Sequence, residues 1–154
     1  MVDFQLAQLN IARMMHAFDS PSMAGFVENL DRINGLADQS PGFVWRLVDE
    51  DEPAADHPFD DQTLVNLSVW EDLHSLRDFV YGSDHVEIMR GRKAWFQKIT
   101  GAHQVLWWVP AGHRPTEIEA HERLRHLQEN GPSPRAFNFR SAFRPDGSDY
   151  DSTN

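Results

Sequence analysis

The feature that most constrains the fold is the segment Val105–Thr116, VLWWVPAGHRPT, an apolar run that places Trp107 beside Trp108. Neighbouring residues of a strand point to opposite faces of the sheet, so one tryptophan is expected under helices and the other on the opposite face. Because soluble sheets seldom leave an indole in water, we expect a partner subunit or a ligand to cover that second face. The alternative is that both tryptophans are ordinary core residues.

The order of the periodic segments predicts an α+β fold. Short apolar or alternating runs predict strands, and apolar residues at i, i+3, i+4 and i+7 predict helices. Strands are expected at Phe4–Met14, Phe43–Val48, Leu64–Trp70 and the tryptophan segment, and helices from Ser20 to Gly35, from Asp72 to Gly82, over Asp84–Lys98 and from Thr116 to Gly131. Asp72 is expected to cap its helix, and Thr116 and Glu119 are expected to form a capping box at the start of the last helix. The resulting order βαββαβ is ferredoxin-like, an antiparallel sheet with two helices on one face, followed by an extra C-terminal helix and a short extension.

Length and charge limit the classes of function. The chain has 154 residues, a net charge of −10 and no cysteine. An acidic chain is a poor partner for nucleic acid or an anionic membrane, and without cysteine there is no thiolate metal site and no cysteine nucleophile. Neither a signal peptide nor a membrane span is evident, so a cytoplasmic protein is expected. Sequence motifs typical of zinc proteases, serine hydrolases and nucleotide-binding loops are missing.

Two regions are expected to lack regular structure. The stretch Asp49–Asp61 contains seven acidic residues and two prolines but lacks the ordered spacing and the glycine of a calcium loop, so we expect a mobile loop without a metal. Residues 1–144 are expected to form one domain, and residues 145–154 a polar, disordered tail.

One face of the predicted sheet mixes polar and aromatic residues. Alternation places Gln8 and Asn10 on one side of the first strand, and Asn66, Ser68 and Trp70 on one side of the third. The opposite sides are apolar and are expected to pack on the helices. A mixed polar and aromatic face suits a small-molecule cavity, although a partly solvated sheet face is the simpler alternative. The candidate ligand-binding set is Asn10, Trp45, Asn66, Ser68, Trp70, Met89, Trp95, Trp107, Trp108 and His113.

The helix predicted over residues 84–98 carries the candidate catalytic residues, His85 and Arg92. His85, Met89, Arg92 and Phe96 share one helical face, and Trp95 lies on the next row. The positive end of the helix dipole favours a neutral imidazole at His85, which can accept a proton or bind haem iron. Arg92 can hold a carboxylate or a haem propionate. The structural alternative is a hydrogen bond from His85 to a loop carbonyl and an ion pair at Arg92.

The turn after the tryptophan strand is a further candidate. His113 and Arg114 lie just before a predicted helix N-terminus, where backbone amides and a guanidinium can gather an anion. An exposed turn without a ligand is the alternative.

Several motifs resemble a known bacterial family. LAQLN, SPGFVWRL, LVNLSVWE, HVEIMRGRKAWF, LWWVPAGHRPT and GPSPRAF are similar to the domain of unknown function 3291 family, within the dimeric α/β barrel superfamily, over about residues 4 to 143. The resemblance implies a homodimer whose two sheets face each other. It implies no particular reaction, because its distant relatives include antibiotic-biosynthesis and spheroidene monooxygenases, chlorite dismutases and aldoxime dehydratases, some with haem and some without a cofactor.

Three functions therefore remain open at this point. The first is an oxygenase-like or haem-dependent enzyme acting on an apolar or aromatic small molecule. The second is a cofactor-free isomerase, cyclase or dehydratase that uses the same cavity. The third is a protein that binds a small ligand without chemistry.

Overall fold

A computed structural model describes residues 3–17, 20–47, 63–82, 96–97 and 101–150, which form a five-stranded antiparallel sheet with helices on both faces. The strands are β1 (Phe4–Met14), β2 (Phe43–Arg46), β3 (Thr63–Trp70), β4 (Phe96–Gln97) and β5 (Gln104–Pro110), and the helices are α1 (Ala24–Asp38), α2 (Leu73–Val80) and α3 (Glu117–Asn130), with a 3-10 turn at Pro21–Met23. Central β1 pairs with β3 along one edge and with β5 and β4 along the other, while β2 lies outside β3. This is the predicted ferredoxin-like arrangement. No helix in the described ranges is long and apolar enough to cross a membrane.

The strand register sorts the side chains onto two faces. Asn10 lies between Asn66 on β3 and Gln104 on β5. Because side chains alternate along a strand, the even-numbered residues of β1, β3 and β5 share one face, which we call the amide face. The odd-numbered residues of the same strands form the other face, which we call the apolar face.

Helices α1 and α2 cover the amide face at its two ends. At one end, the cluster combines strand residues with residues from both helices: Leu6, Trp70, Leu106, Ala37, Leu73 and Leu76. At the other end, Met14 packs with Met23 and Phe26. The strip between these two apolar clusters contains the polar strand residues.

Helix α3 covers the apolar face. Its buried stripe packs on strand residues in one cluster, which includes Ala7, Leu9, Leu67, Val69, Val105, Trp107, Val109, Ala120, Leu124 and Leu127. The expectation that the apolar sides of the strands pack on α1 and α2 is therefore wrong. The stripe of α3 matches a continuous apolar surface, whereas the polar residues of the amide face form hydrogen bonds with one another beneath the other two helices.

Two predicted helix boundaries are also wrong. Helix α1 continues through Gly35 to Asp38, because Ala37 is buried in the core beyond it. A glycine inside a helix costs only about 1 kcal/mol relative to alanine, which packing of this kind offsets. Phe96 and Gln97 are not helical: they form β4 on the stretch of β1 that β5 leaves unpaired, and the ring of Phe96 packs edge-on against Phe26 at 4.8 Å.

The predicted caps of α2 and α3 are confirmed. Asp72 Oδ1 accepts a hydrogen bond from the Ser75 amide at 2.7 Å, and Thr116 Oγ1 accepts one from the Glu119 amide at 3.1 Å. Gly131 ends α3 with a φ of 76°, a conformation that favours glycine.

The C-terminal extension packs against the sheet. Two backbone hydrogen bonds of 2.8 and 2.9 Å join Leu106 to Phe137. Residues 145–150 pack on this extension, where the Tyr150 amide donates to the Ala142 carbonyl at 2.9 Å. Hydrogen bonds from Ser148 lower the pKa of Asp146 below its ordinary value. The acidic loop Asp49–Asp61 and the expected helix over 84–95 lie outside the described residues.

Candidate functional site

The strip on the amide face contains a row of three carboxamides. Asn66, Asn10 and Gln104 lie side by side on β3, β1 and β5. Neighbouring strands are about 4.8 Å apart, so this amide row extends over about 10 Å across the sheet. Asn66 is exposed, and the other two are half-buried. The row is thus accessible to solvent although it lies on the face that α1 and α2 cover.

A buried hydrogen-bond network adjoins the amide row. Gln8 Nε2 donates to Asn66 Oδ1 at 2.6 Å and to Ser68 Oγ at 2.8 Å. The indole of Trp70 also donates to Ser68 Oγ, at 2.9 Å. Gln8, Ser68 and Trp70 are all at least 95% buried. Because a buried polar group without a partner costs roughly 1–3 kcal/mol, this network allows polar residues to lie beneath the helices.

The network engages only part of the Asn66 amide. Asn66 Oδ1 accepts from Gln8, so the two N–H donors of this exposed side chain are left for other partners. Within the described part of the chain, neither Asn10 nor Gln104 has a side-chain hydrogen bond. The strip therefore presents oriented and unengaged amides at a partly open surface.

Aromatic side chains form the wall of the strip on the side of Trp70. Its ring stacks on Phe79 with centroids 5.3 Å apart and meets Phe43 edge-on at 5.4 Å. Phe26 and Phe96 form the opposite wall. Both aromatic clusters close the ends of the strip, and its accessible part is the amide row between them.

The adjacent tryptophans lie on opposite faces, as alternation predicted, and this chain covers both. Trp108 is half-buried on the amide face and donates to the Phe143 carbonyl at 2.7 Å. Trp107 is fully buried beneath α3 and donates to Glu119 Oε2 at 2.9 Å. Trp107 therefore needs no partner subunit or ligand to remove it from water, whereas Trp108 stays half-buried within this chain.

Two other candidates, His113 and Trp45, lie on the side of the apolar face. His113 Nε2 is 2.7 Å from Glu119 Oε1, so Glu119 joins it to Trp107. Trp45 lies opposite Val69, after a register shift in β2, and the Arg114 guanidinium is 6.0 Å from its ring centroid. The sheet separates these residues from the amide row.

Comparison with known proteins identifies the family. Residues 5–153 match the model of the domain of unknown function DUF3291. The chain belongs to this family. No curated protein matches the DUF3291 chain.

Solved structures with a similar shape differ widely from the DUF3291 chain in sequence. SnoaB, a cofactor-independent oxygenase from Streptomyces nogalater, in a mutant form, is 17% identical, covers 71% of this chain and 94% of its own, and has a TM-score of 0.45. A protein of unknown function from Nitrosomonas europaea is 12% identical, with coverage of 73% and 93% and a TM-score of 0.47. PA3566 from Pseudomonas aeruginosa is 13% identical, with coverage of 75% and 99% and a TM-score of 0.46.

The sequence-predicted site residues of the DUF3291 chain thus fall into three groups. The structure brings Asn10, Asn66, Ser68, Trp70 and Trp108 onto the amide face. It places Trp45, Trp107 and His113 on the other side of the sheet. The candidate catalytic residues His85 and Arg92, with Met89 and Trp95, lie outside the described residues.

Two residues were missed as site candidates. Gln104 completes the amide row. The two-residue alternation of β5 places it on the amide face and could have identified it from the sequence. Glu119 was assigned only to a capping box, but its carboxylate contacts both Trp107 and His113. In the ranges that the structure describes, no group of three or more metal-ligating side chains could hold a metal ion.

Proposed function

We propose that the chain is a small-molecule enzyme that binds an apolar, ring-containing substrate on the amide face and stabilises a negatively charged substrate oxygen with the Asn66 amide. The observation that carries this proposal is the orientation of Asn66. Its oxygen is engaged by the buried Gln8, so its two N–H donors remain available at an exposed position. Fixed donors of this kind are suited to an oxyanion that develops during a reaction.

The buried network supports this role because it pre-orients the donor. Ser68 accepts hydrogen bonds from both Gln8 and Trp70, which holds the Gln8 amide in place. Asn66 therefore need not reorganise when charge develops on the substrate. Donors held in this way typically contribute about 10²–10³ in rate.

Oxygenase-like chemistry fits this arrangement. A substrate with an acidic C–H beside a carbonyl, or a phenol, loses a proton to solvent water and forms an enolate or phenolate that Asn66 stabilises. Electrons pass from this anion to dioxygen, so that a ring CH₂ and O₂ give a ring carbonyl and water. The same anion also serves an isomerase, cyclase or dehydratase, so these reactions remain the alternative at the same site.

Haem-dependent chemistry is supported less well. A haem iron needs an axial ligand such as histidine. Among the residues that the structure describes, no histidine lies in a strand or in α1, and His74 of α2 is exposed and contacts Asp78. The strands and α1 thus supply no axial ligand, and His85, the predicted ligand, lies outside the described residues.

The homodimer implied by the family resemblance remains a proposal. In the described ranges, α3 covers the apolar face, and α1 and α2 cover the two ends of the amide face. The amide row between those ends stays accessible and is one surface that the sheet of a second copy could contact. Light scattering of the purified protein at micromolar concentration distinguishes a dimer from a monomer.

Oxygen consumption tests the proposed chemistry. The purified protein is incubated with phenols and enolisable cyclic ketones under ¹⁸O₂, with an oxygen electrode and mass spectrometry as readouts. We expect ¹⁸O in an organic product. We also expect kcat/KM to fall by about 10²–10³ in Asn66→Leu, because the oxyanion donor is removed. Isomerised or dehydrated product without ¹⁸O would favour the alternative.

The matched control is Asn130→Leu, the same change at an exposed position on the last turn of α3. It should retain wild-type activity. Equal losses in the two variants, or unchanged activity in Asn66→Leu, would contradict the proposed role of Asn66.

A further inference from the structure

The register of the amide row has a consequence for the shape of the ligand. Asn66 and Asn10 are direct neighbours across β3 and β1, on the same face. Directly opposite residues of antiparallel strands have Cβ atoms about 4.5–5.5 Å apart. Their two carboxamides can therefore contact two ligand oxygens that are separated by a similar distance along one line.

We infer that the site selects rings that carry two oxygen substituents in the 1,3 relationship, one bound by Asn66 and the other by Asn10. This inference rests on the proposed function, since it assigns the first oxygen to the Asn66 amide. Oxygens on adjacent ring carbons are much closer together than the strand spacing. Oxygens in the 1,3 relationship have nearly the spacing of neighbouring strands, about 4.8 Å. Gln104 extends the same line by one further strand and provides a contact for a third oxygen.

The amides of Asn10 and Asn66 are available for this role. Asn10 is half-buried, and among the described residues its side chain has no hydrogen-bond partner. A carboxamide without a hydrogen-bond partner in partly apolar surroundings lowers the stability of the fold. A ligand oxygen would supply the missing hydrogen bond. Asn66 differs, because Gln8 engages its oxygen and leaves only its nitrogen free. Asn66 can therefore bind only a hydrogen-bond acceptor, whereas Asn10 can bind either a donor or an acceptor.

Burial limits where such a ring can lie. Gln8, Ser68 and Trp70 are at least 95% buried, so the body of the ligand cannot lie over them. The ring therefore lies along the accessible amide row itself, with its oxygen-bearing edge on Asn66 and Asn10.

Isothermal titration with positional isomers tests the inference. The probes are 1,3-dihydroxynaphthalene, 2,3-dihydroxynaphthalene and 2-naphthol, titrated without oxygen so that no turnover occurs. We expect the 1,3 isomer to bind the wild-type protein at least tenfold more tightly than the other two. Equal affinities, or no measurable binding of the 1,3 isomer, would overturn the inference.

Two substitutions separate this inference from the proposed function. Asn10→Leu should abolish the preference for the 1,3 isomer over 2-naphthol, whereas Asn66→Leu should weaken the binding of all three probes. The more conservative Asn10→Ser provides a second test if Asn10→Leu fails to fold, and it should lower the preference in the same direction. Asn130→Leu should change nothing. Loss of binding in Asn66→Leu without isomer selectivity in the wild type would retain the proposed function and reject the 1,3 assignment.

Discussion

The two faces of the sheet use their polar groups in opposite ways. On the apolar face, the indole of Trp107 donates to Glu119, and the same carboxylate contacts His113. These contacts anchor α3 over a continuous apolar cluster. On the amide face, Gln8 and Ser68 are also hydrogen-bonded, but the network ends at Asn66, whose two amide donors are left at an exposed position.

Burial of a polar residue therefore does not by itself distinguish a structural role from a binding role. The distinction lies in where a hydrogen-bond network ends. One that ends on the protein's own side chains, as at Glu119, stabilises the fold. One that ends with oriented donors at an exposed position, as at Asn66, is suited to a ligand. We therefore expect substitutions on the apolar face to affect mainly stability, and substitutions in the amide row to affect mainly binding.

The largest loss of stability is expected from Trp107→Ala. Trp107 is fully buried and is hydrogen-bonded to Glu119, so the change should lower the free energy of unfolding by about 3–5 kcal/mol. Trp108→Ala is the matched control on the other face. Because its indole is only half-buried, this change should lower the free energy of unfolding by less. Urea denaturation measures both values. A larger loss for Trp108→Ala would reverse the comparison of the two faces.

The next largest effect is expected from Leu124→Ala on α3. Leu124 is 3% exposed in the cluster on the apolar face, so its truncation should cost about 2–4 kcal/mol. Ile118→Ala, on the exposed side of the same helix, should remain within about 0.5 kcal/mol of wild type. If thermal and chemical denaturation show equal effects for the two variants, α3 does not cover the sheet as described.

Ser68→Ala should have a smaller effect on stability. The change removes the acceptor shared by Gln8 and Trp70, and two buried donors lose a partner. We expect a loss of about 1–3 kcal/mol, together with weaker binding because the amide of Gln8 is no longer held in place. Ser141→Ala, at an exposed position, is the control. Unchanged stability and unchanged binding would show that the network does not orient Asn66.

The smallest effect is expected from Glu119→Gln. The new amide oxygen can still accept from Trp107, and only the charged contact with the partly exposed His113 is lost. Pairs of this kind typically contribute less than about 1 kcal/mol. Glu119→Ala removes both contacts and should be clearly more destabilising in the same denaturation assay. Equal effects of the two substitutions would indicate that the indole contact contributes nothing.

Much of the fold follows from local sequence signals. The two-residue alternation of LVNLSVW correctly assigns Leu67 and Val69 to one face and Asn66 and Ser68 to the other. The caps at Asp72 and Thr116 follow from their position before apolar helical stripes. These features depend on neighbours in sequence, so a single chain without further information predicts them.

Other features depend on contacts between distant segments and are not accessible in this way. Alternation cannot decide which helix covers which face, because α3 competes with α1 and α2 for the apolar surface. The short apolar stretch at Phe96 suits either a helix or a strand, and pairing with β1 decides it. A register shift places Trp45 on the apolar face, opposite Val69, and local sequence gives no sign of this shift. Asn10, Asn66, Ser68 and Trp70 could be grouped correctly because each lies on a regular strand.

A single NMR experiment compares the two faces directly. In ¹H–¹⁵N spectra, the side-chain amides of asparagine and glutamine and the indole N–H groups are observed together while 1,3-dihydroxynaphthalene is added without oxygen. We predict that the amide signals of Asn66 and Asn10 shift in a saturable manner, whereas the indole signal of Trp107, engaged by Glu119 beneath α3, stays in place. Shifts at Trp107 with unchanged amide signals of Asn66 and Asn10 would contradict the assignment of the ligand site to the amide face.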